Sequence, residues 1–193
     1  CKSISHSNLL SKLYCSPGNP GISSIAECVT IDVNNNADVL DFCKTSNIDM
    51  VIVGPEIPLA NGMVDYLEKG GVKAFGPNSS AAELESSKIF MKEICKKYEL
   101  PTAKYEEFSD PESAFKYVSN SVYPIVIKAD GLAAGKGVTI ANNIDDANNA
   151  ITDCLIDHKF GNSGNKIVIE EFLEGKEASY FVITDGHTIL PLG

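Results

Sequence analysis

Apolar residues recur along this chain in two rhythms. Through the first 76 residues, short β-rich runs alternate with short amphipathic stretches. Leu13-Tyr14-Cys15 predicts a strand, closed by the turn-forming Ser16-Pro17-Gly18-Asn19-Pro20-Gly21, and Val29-Thr30-Ile31 predicts a second. Asn36 is placed to cap a helix with Val39, Leu40 and Cys43 on one side. Met50-Val51-Ile52-Val53 is apolar at every position, the pattern of a central parallel strand covered by helices on both faces. A loop from Gly54 leads to a helix with Met63, Val64 and Leu67, stopped by Gly70-Gly71, and Val72-Lys73-Ala74-Phe75 follows as a strand. Strands alternating with helices imply right-handed crossovers and a doubly wound α/β sheet. The opening residues 1–10 read as a helix with Ile4, Leu9 and Leu10 on one side. A doubly wound unit usually opens with a strand and a glycine-rich turn, so both are expected upstream of Cys1.

From Asn78 the rhythm lengthens. One long helix is predicted over 78–98, capped by Asn78 or Ser79, with Leu84, Met91, Ile94, Cys95 and Tyr98 on its apolar side and Pro101 beyond its end. Asp110-Pro111 opens a further helix carrying Ala114, Phe115 and Val118. Two strands, 123–128 and 138–141, flank a glycine-rich stretch. A helix over 147–156, a strand over 167–169 and a hairpin over 181–190 across Asp185-Gly186 complete the chain.

Composition narrows the classes. With 16 Lys and Arg against 26 Asp and Glu the net charge is −10, which argues against a nucleic-acid partner, since phosphate neutralisation wants a basic face. No run of about 18 apolar residues is present, so no membrane span is expected. Neither a signal region nor a transit pattern marks residues 1–6, and a cytoplasmic setting is expected. The six cysteines form no C-x-x-C pair and read as reduced small hydrophobes. His6, His158 and His187 have no metal-ligand spacing.

The candidate chemistry centres on 131–137. Gly131, Gly135, Lys136 and Gly137 do not make a phosphate-binding P-loop. The first two glycines are separated by three residues, the lysine is followed by glycine rather than a hydroxyl residue, and the stretch runs into a strand instead of a helix. It reads as a glycine-rich hairpin folding over phosphates, with backbone N–H groups and Lys136 as donors. Taken alone, its competing reading is a plain β-turn with no ligand. Lys128 ends the preceding apolar strand, where an ammonium is costly to bury without an anionic partner. Backbone groups in the acidic run 170–177 are placed to read an adenine edge, and Glu177 to accept ribose hydroxyls, although an acidic run is also the mark of a solvated turn. Ser87-Lys88 adds a cation early in the long helix.

In this order the segments resemble the ATP-grasp superfamily and, within it, the glycinamide ribonucleotide synthetase (phosphoribosylamine–glycine ligase) family. The segments that carry the resemblance are Pro17-Gly18-Asn19, Gly54-Pro55-Glu56-Ile57-Pro58-Leu59, Phe75-Gly76-Pro77, Ser86-Ser87-Lys88, Leu100-Pro101-Thr102-Ala103, the run 127–137, and Ile169-Glu170-Glu171-Phe172-Leu173-Glu174-Gly175. The implied architecture is a doubly wound domain over 1–87, incomplete at its start. It is followed by the first part of an α+β ATP-grasp domain over 88–193, with a lid at about 123–170.

The resemblance implies that ATP phosphorylates glycine and that the amine of 5-phosphoribosylamine attacks the glycyl phosphate, giving an amide, ADP and phosphate. Lys88 and Lys128 would then contact nucleotide phosphates, with Lys128 and Lys136 catalytic. Gly131, Gly135, Lys136 and Gly137 would close as a lid that excludes water. Glu171, Phe172 and Leu173 would line the adenine and Glu177 would take the ribose. Pro17, Gly18, Asn19, Gly54, Pro55, Glu56, Pro58 and Leu59 would face phosphoribosylamine. The family's Mg²⁺ ligands and much of its glycine site would follow Gly193, so this chain by itself is expected not to turn over. The family usually has Gly-Glu-Glu where this chain has Gly175-Lys176-Glu177, a charge change beside the ribose position. Another ATP-grasp carboxylate–amine ligase, one that phosphorylates bicarbonate, and a non-catalytic nucleotide-binding module remain alternative readings.

Overall fold

The computed structural model of the chain describes residues 1–133 and 135–192; Ala134, inside the glycine-rich loop, and Gly193 lie outside the described residues. The fold is α/β. In chain order it runs α1 (Lys2–Ser5), β1 (Tyr14–Cys15), β2 (Glu27–Cys28), α2 (Asn36–Thr45), β3 (Met50–Ile52), α3 (Glu56–Ala60), α4 (Met63–Lys69), β4 (Lys73–Phe75) and α5 (Ser79–Ser86). There follow α6 (Lys88–Lys97), β5 (Tyr105–Phe108), α7 (Pro111–Val118), β6 (Ile125–Ala129), β7 (Val138–Ala141), α8 (Ile144–Ile151), β8 (Ile167–Glu171), β9 (Phe181–Thr184) and β10 (Ile189–Leu192). No described helix is long and apolar enough to cross a membrane.

The first part is built from parallel pairs, β1 with β2 and β3 with β4. Among the described residues these are two separate pairs rather than one continuous sheet. Cys43, Met63, Leu67 and Val72 form the core beneath β3 and β4, with Val39, Leu40, Val51 and Ala74 packed against it. The expectation that β3 is covered on both faces fails: Val51 turns inward, but Met50 and Ile52 are each 53% exposed. A strand alternates its side chains between faces, and only one face of this pair meets helices.

Other boundaries move for local reasons. The opening helix is one turn long and Leu9 lies outside it, exposed. The second strand is Glu27–Cys28 rather than 29–31, although Val29 N still donates to Cys15 O. Asn35, not Asn36, caps α2, its side chain accepting from Ala37 N and Asp38 N. An extra short helix, α3, occupies the loop that follows β3. The predicted long helix is two helices, broken at Ser87 (φ −132°, ψ 114°), whose hydroxyl accepts from Phe90 N and so caps α6. The break re-aims the second half. Ile89 and Lys92 are buried, whereas Leu84 and Tyr98, expected on the apolar side, are exposed. The helix predicted over 147–156 begins at Ile144 and loosens into a π turn over Thr152–Ile156.

The second part is a four-stranded antiparallel sheet in the order β5-β8-β6-β7. Ile125, Ile127, Ala129, Ile167 and Ile169 point to one face, where Ala114 and Val118 of α7 and Ala147, Ala150 and Ile151 of α8 close the core. Alternation sends Val126, Lys128, Val168 and Glu170 to the other face. The hairpin β9-β10 is exposed along both strands. All six cysteines are free.

Candidate functional site

The site is assembled where α6, the end of β6 and the end of β8 meet. Lys128 and Glu170 share the sheet face opposite the core, because Lys128 stands across from Val168 and Val126 from Glu170 in the antiparallel register. Lys128 Nζ donates to Glu170 Oε2 at 2.9 Å. From α6, Lys92 Nζ reaches the same oxygen at 3.3 Å and also donates to Thr102 Oγ1 (2.7 Å) and Ala103 O (3.2 Å). The Lys92 and Glu170 side chains are almost sealed, at 2% and 6% exposure, while Lys128 remains 27% exposed. Glu170 Oε1 is buried with no hydrogen-bond partner among the described residues.

Asp130 fastens the base of the glycine-rich loop to the start of α6. Its carboxylate accepts from Ser87 Oγ at 3.2 Å and from Ile89 N at 3.1 Å, which places a negative charge at a helix N-terminus. Lys88 Nζ donates to Gly131 O at 3.0 Å. Burial holds the Lys88 ammonium below the usual lysine range; Asp130 opposes that shift and Lys128 adds to it. The loop is pinned again by Ala129 N to Gly137 O (2.8 Å), Asp130 N to Lys166 O (2.9 Å) and Ser163 Oγ to Leu132 O (3.0 Å). Gly131 has φ +124°, and a Cβ there would lie 2.7 Å from Ser163 Oγ, so both conformation and space require glycine.

The predicted residues are thus only partly gathered. Lys88, Lys128 and Gly131 come together, Gly137 is buried at the loop base, and Gly135 and Lys136 are exposed at the tip. Glu171 is committed elsewhere, since its N–H donates to Lys104 O (3.0 Å) and its Oε1 accepts from Lys104 N (2.9 Å). That N–H is not free to read an adenine edge. Phe172, Leu173 and Glu177 stand exposed in the segment after β8. Pro17, Gly18 and Asn19 follow the carboxyl end of β1; Gly18 has φ +77° and leaves no room for a Cβ beside Cys28, and Asn19 Oδ1 accepts from Ile22 N. Gly54, Pro55 and Glu56 are exposed after the carboxyl end of β3, whereas Pro58 is buried inside α3 and Leu59 packs under Gly76.

Sequence reading passed over Lys92, Glu170 and Asp130. The signal for Lys92 is its i, i+4 spacing from Lys88 on one helix face. For Glu170 it is the shared parity with Lys128 on the neighbouring strand. A cleft of about 600 Å³ lined by Lys104, Phe108, Lys116, Tyr117, Ile125 and Glu171 lies at the α7 side of the sheet, and none of Lys88, Lys92, Lys128 or Lys136 lines it. Among the described residues no group of three or more His, Cys, Asp or Glu is placed to hold a metal.

Comparison with known proteins matches the chain to two family models in succession. Residues 1–85 match the model of the phosphoribosylglycinamide synthetase N domain, and residues 86–193 that of the phosphoribosylglycinamide synthetase ATP-grasp (A) domain. The phosphoribosylamine–glycine ligase of Mesorhizobium japonicum is 50% identical over 190 residues, 98% of this chain and 44% of that protein. The chloroplastic enzyme of Arabidopsis thaliana is 48% identical over 195 residues, all of this chain and 37% of that protein. The chain therefore spans well under half the length of these curated relatives. A crystal structure of the phosphoribosylamine–glycine ligase of Thermotoga maritima superposes with a TM-score of 0.74 at 28% identity, covering 94% of this chain and 43% of that one. With both parts of the chain matched in order, the protein belongs to the phosphoribosylglycinamide synthetase family.

Proposed function

We propose that the chain supplies the nucleotide lid and part of the substrate side of a ligase that joins glycine to 5-phosphoribosylamine at the expense of ATP. The observation that carries this reading is the convergence of Lys88 and Lys128 at the base of a glycine-rich hairpin. Lys92 and Lys128 set against the single carboxylate of Glu170 leave an excess of positive charge in a chain whose net charge is −10. That local excess suits an anion, and a nucleoside triphosphate fits it. The orphaned Glu170 Oε1 would also accept an N–H from a bound ligand.

In this reading the domains are 1–87 and 88–193. Lys88 and Lys128 neutralise phosphoryl charge, and Lys136 with the backbone N–H groups of the loop closes over it. Catalysis by such groups is positioning and electrostatics, and closure keeps water from a reactive acyl phosphate. Glu171, Phe172 and Leu173 border the base, Glu177 the ribose, and the loops after β1 and β3 phosphoribosylamine. Those loops leave the carboxyl ends of parallel strands, where open α/β sheets take ligands. Among the described residues no acidic group is placed to hold Mg²⁺, whose ligands are expected beyond this chain; when bound it would supply neutralisation of phosphoryl charge.

The test is ATP consumption by the complete protein with glycine and phosphoribosylamine present, compared with either omitted. Consumption that needs both substrates, and is lost in Lys128→Ala with folding intact, supports the reading. Full activity in that variant overturns the role of Lys128, and consumption indifferent to glycine overturns the reaction.

A further inference from the structure

Lys92 and Glu170 are the two fully buried charged side chains among the described residues, at 1% and 5% exposure. An ammonium has three N–H donors, and those of Lys92 have three acceptors in reach: Thr102 Oγ1, Ala103 O and Glu170 Oε2. The Tyr105 ring covers a further side, its centroid 5.3 Å from Nζ. Lys92 is therefore saturated and sealed, with no N–H left to offer a ligand. What it does share is Glu170 Oε2, the oxygen that also holds Lys128.

A buried ion pair is weak evidence for stability, because desolvation offsets most of the Coulomb gain, so a buried lysine on a helix face invites another explanation. Charge counting supplies one. Two ammoniums on one carboxylate leave a net charge of +1, and the partly exposed Lys128 is the end that faces solvent. Without Lys92, Glu170 and Lys128 would close as a neutral one-to-one pair, and Lys128 would have little attraction left for a phosphate.

We propose that Lys92 is a positioning residue for nucleotide binding: it occupies Glu170 so that the Lys128 charge stays available to a phosphate group. This rests on the nucleotide reading above. It predicts a phosphate-specific effect, which loosened packing alone would not give.

The test measures binding of ATP and of adenosine to the full chain by ligand-observed NMR, for the wild type, Lys92→Met, and Lys92→Met combined with Glu170→Gln. Lys92→Met is expected to weaken ATP binding on the order of tenfold, the size of coupling found within one charge network, and to leave adenosine binding unchanged. Adding Glu170→Gln removes the carboxylate that neutralises Lys128 and should return ATP affinity to within roughly threefold of wild type, a difference of about 0.65 kcal/mol. Unchanged ATP binding in Lys92→Met, or equal loss of ATP and adenosine, overturns the proposal. Where Lys92→Met alone does not fold, the double variant decides: ATP binding near wild type supports the charge balance, and its loss with adenosine retained overturns it. If the wild-type chain binds no ATP, the nucleotide reading itself falls, a result distinct from wild-type binding that Lys92→Met leaves untouched.

Discussion

Removing the Asp130 carboxylate is the sharpest single test of how the glycine-rich loop is held. Asp130 accepts from Ser87 Oγ and Ile89 N across more than forty residues of chain, at the first turn of α6. A hydrogen bond to an ionised acceptor contributes about 1.5–3 kcal/mol. A carboxylate at a helix N-terminus adds about 0.3–1 kcal/mol. Asp130→Ala loses both and leaves the Ile89 N–H without its partner, so a destabilisation of about 2–4 kcal/mol is expected. Asp130→Asn keeps an acceptor and loses the charge, so its cost should be about 1 kcal/mol. Urea unfolding followed by circular dichroism measures the difference, with an unchanged slope to show that the same surface is exposed. Amide exchange gives the location: Ile89 and Phe90 should lose protection before the strands of the β5–β8 sheet do. A change below about 0.5 kcal/mol for Asp130→Ala, with Ile89 still protected, would refute the claim that this carboxylate bolts the loop to the helix.

Three other outcomes follow from the same geometry. Ile127→Ala, at 1% exposure, should cost about 2–5 kcal/mol, whereas Ile140→Ala on the adjacent strand, at 52% exposure, should cost under about 1 kcal/mol; equal costs in urea melts would contradict the assignment of the core face. Burial pushes the Cys154 thiol up to about 11 and Cys43 upward as well, so timed alkylation at pH 8 should label exposed Cys1 and Cys28 first and Cys154 and Cys43 only on unfolding; early labelling of Cys154 would contradict this. Lys88, depressed by burial, costs stability while charged, and that cost is relieved as pH climbs from its folded value to the ordinary lysine value. A phosphate raises it again, so ATP binding on the alkaline side should take up protons and weaken with rising pH; calorimetry in buffers of different ionisation heat, showing no uptake, would contradict a Lys88–phosphate contact.

Much of this was legible in the chain, and the losses have a common cause. Strands β6, β7 and β8 could be read because their short apolar runs and β-branched content are local. The glycine-rich stretch announced a hairpin because Gly131 and Gly135 both take positive φ. The break at Ser87 was hidden, since helical periodicity runs through it, and what rewards the interruption is Asp130, 43 residues away. Lys92 was hidden for the same reason, because Glu170 and Thr102 come to it only in the fold. The open face of β3 was misread because an apolar run shows what can be covered and not what is. Of the Glu171 backbone groups expected at the adenine, the N–H is already taken by Lys104 O of the neighbouring segment, a pairing between residues 67 apart that the sequence does not display.

The alternation in β6 and β8 has a consequence for how this sequence can change. Stability and chemistry are spelled in alternate letters of the same strands: Ile127 and Ile169 for the core, Lys128 and Glu170 for the site. Substitutions can tune one reading and spare the other. A single-residue insertion or deletion within either strand cannot, because a shift of one exchanges the faces, driving Lys128 into the helices and isoleucine into the site. Length variation should therefore be tolerated at the exposed tip near Gly135 and eliminated within β6 and β8.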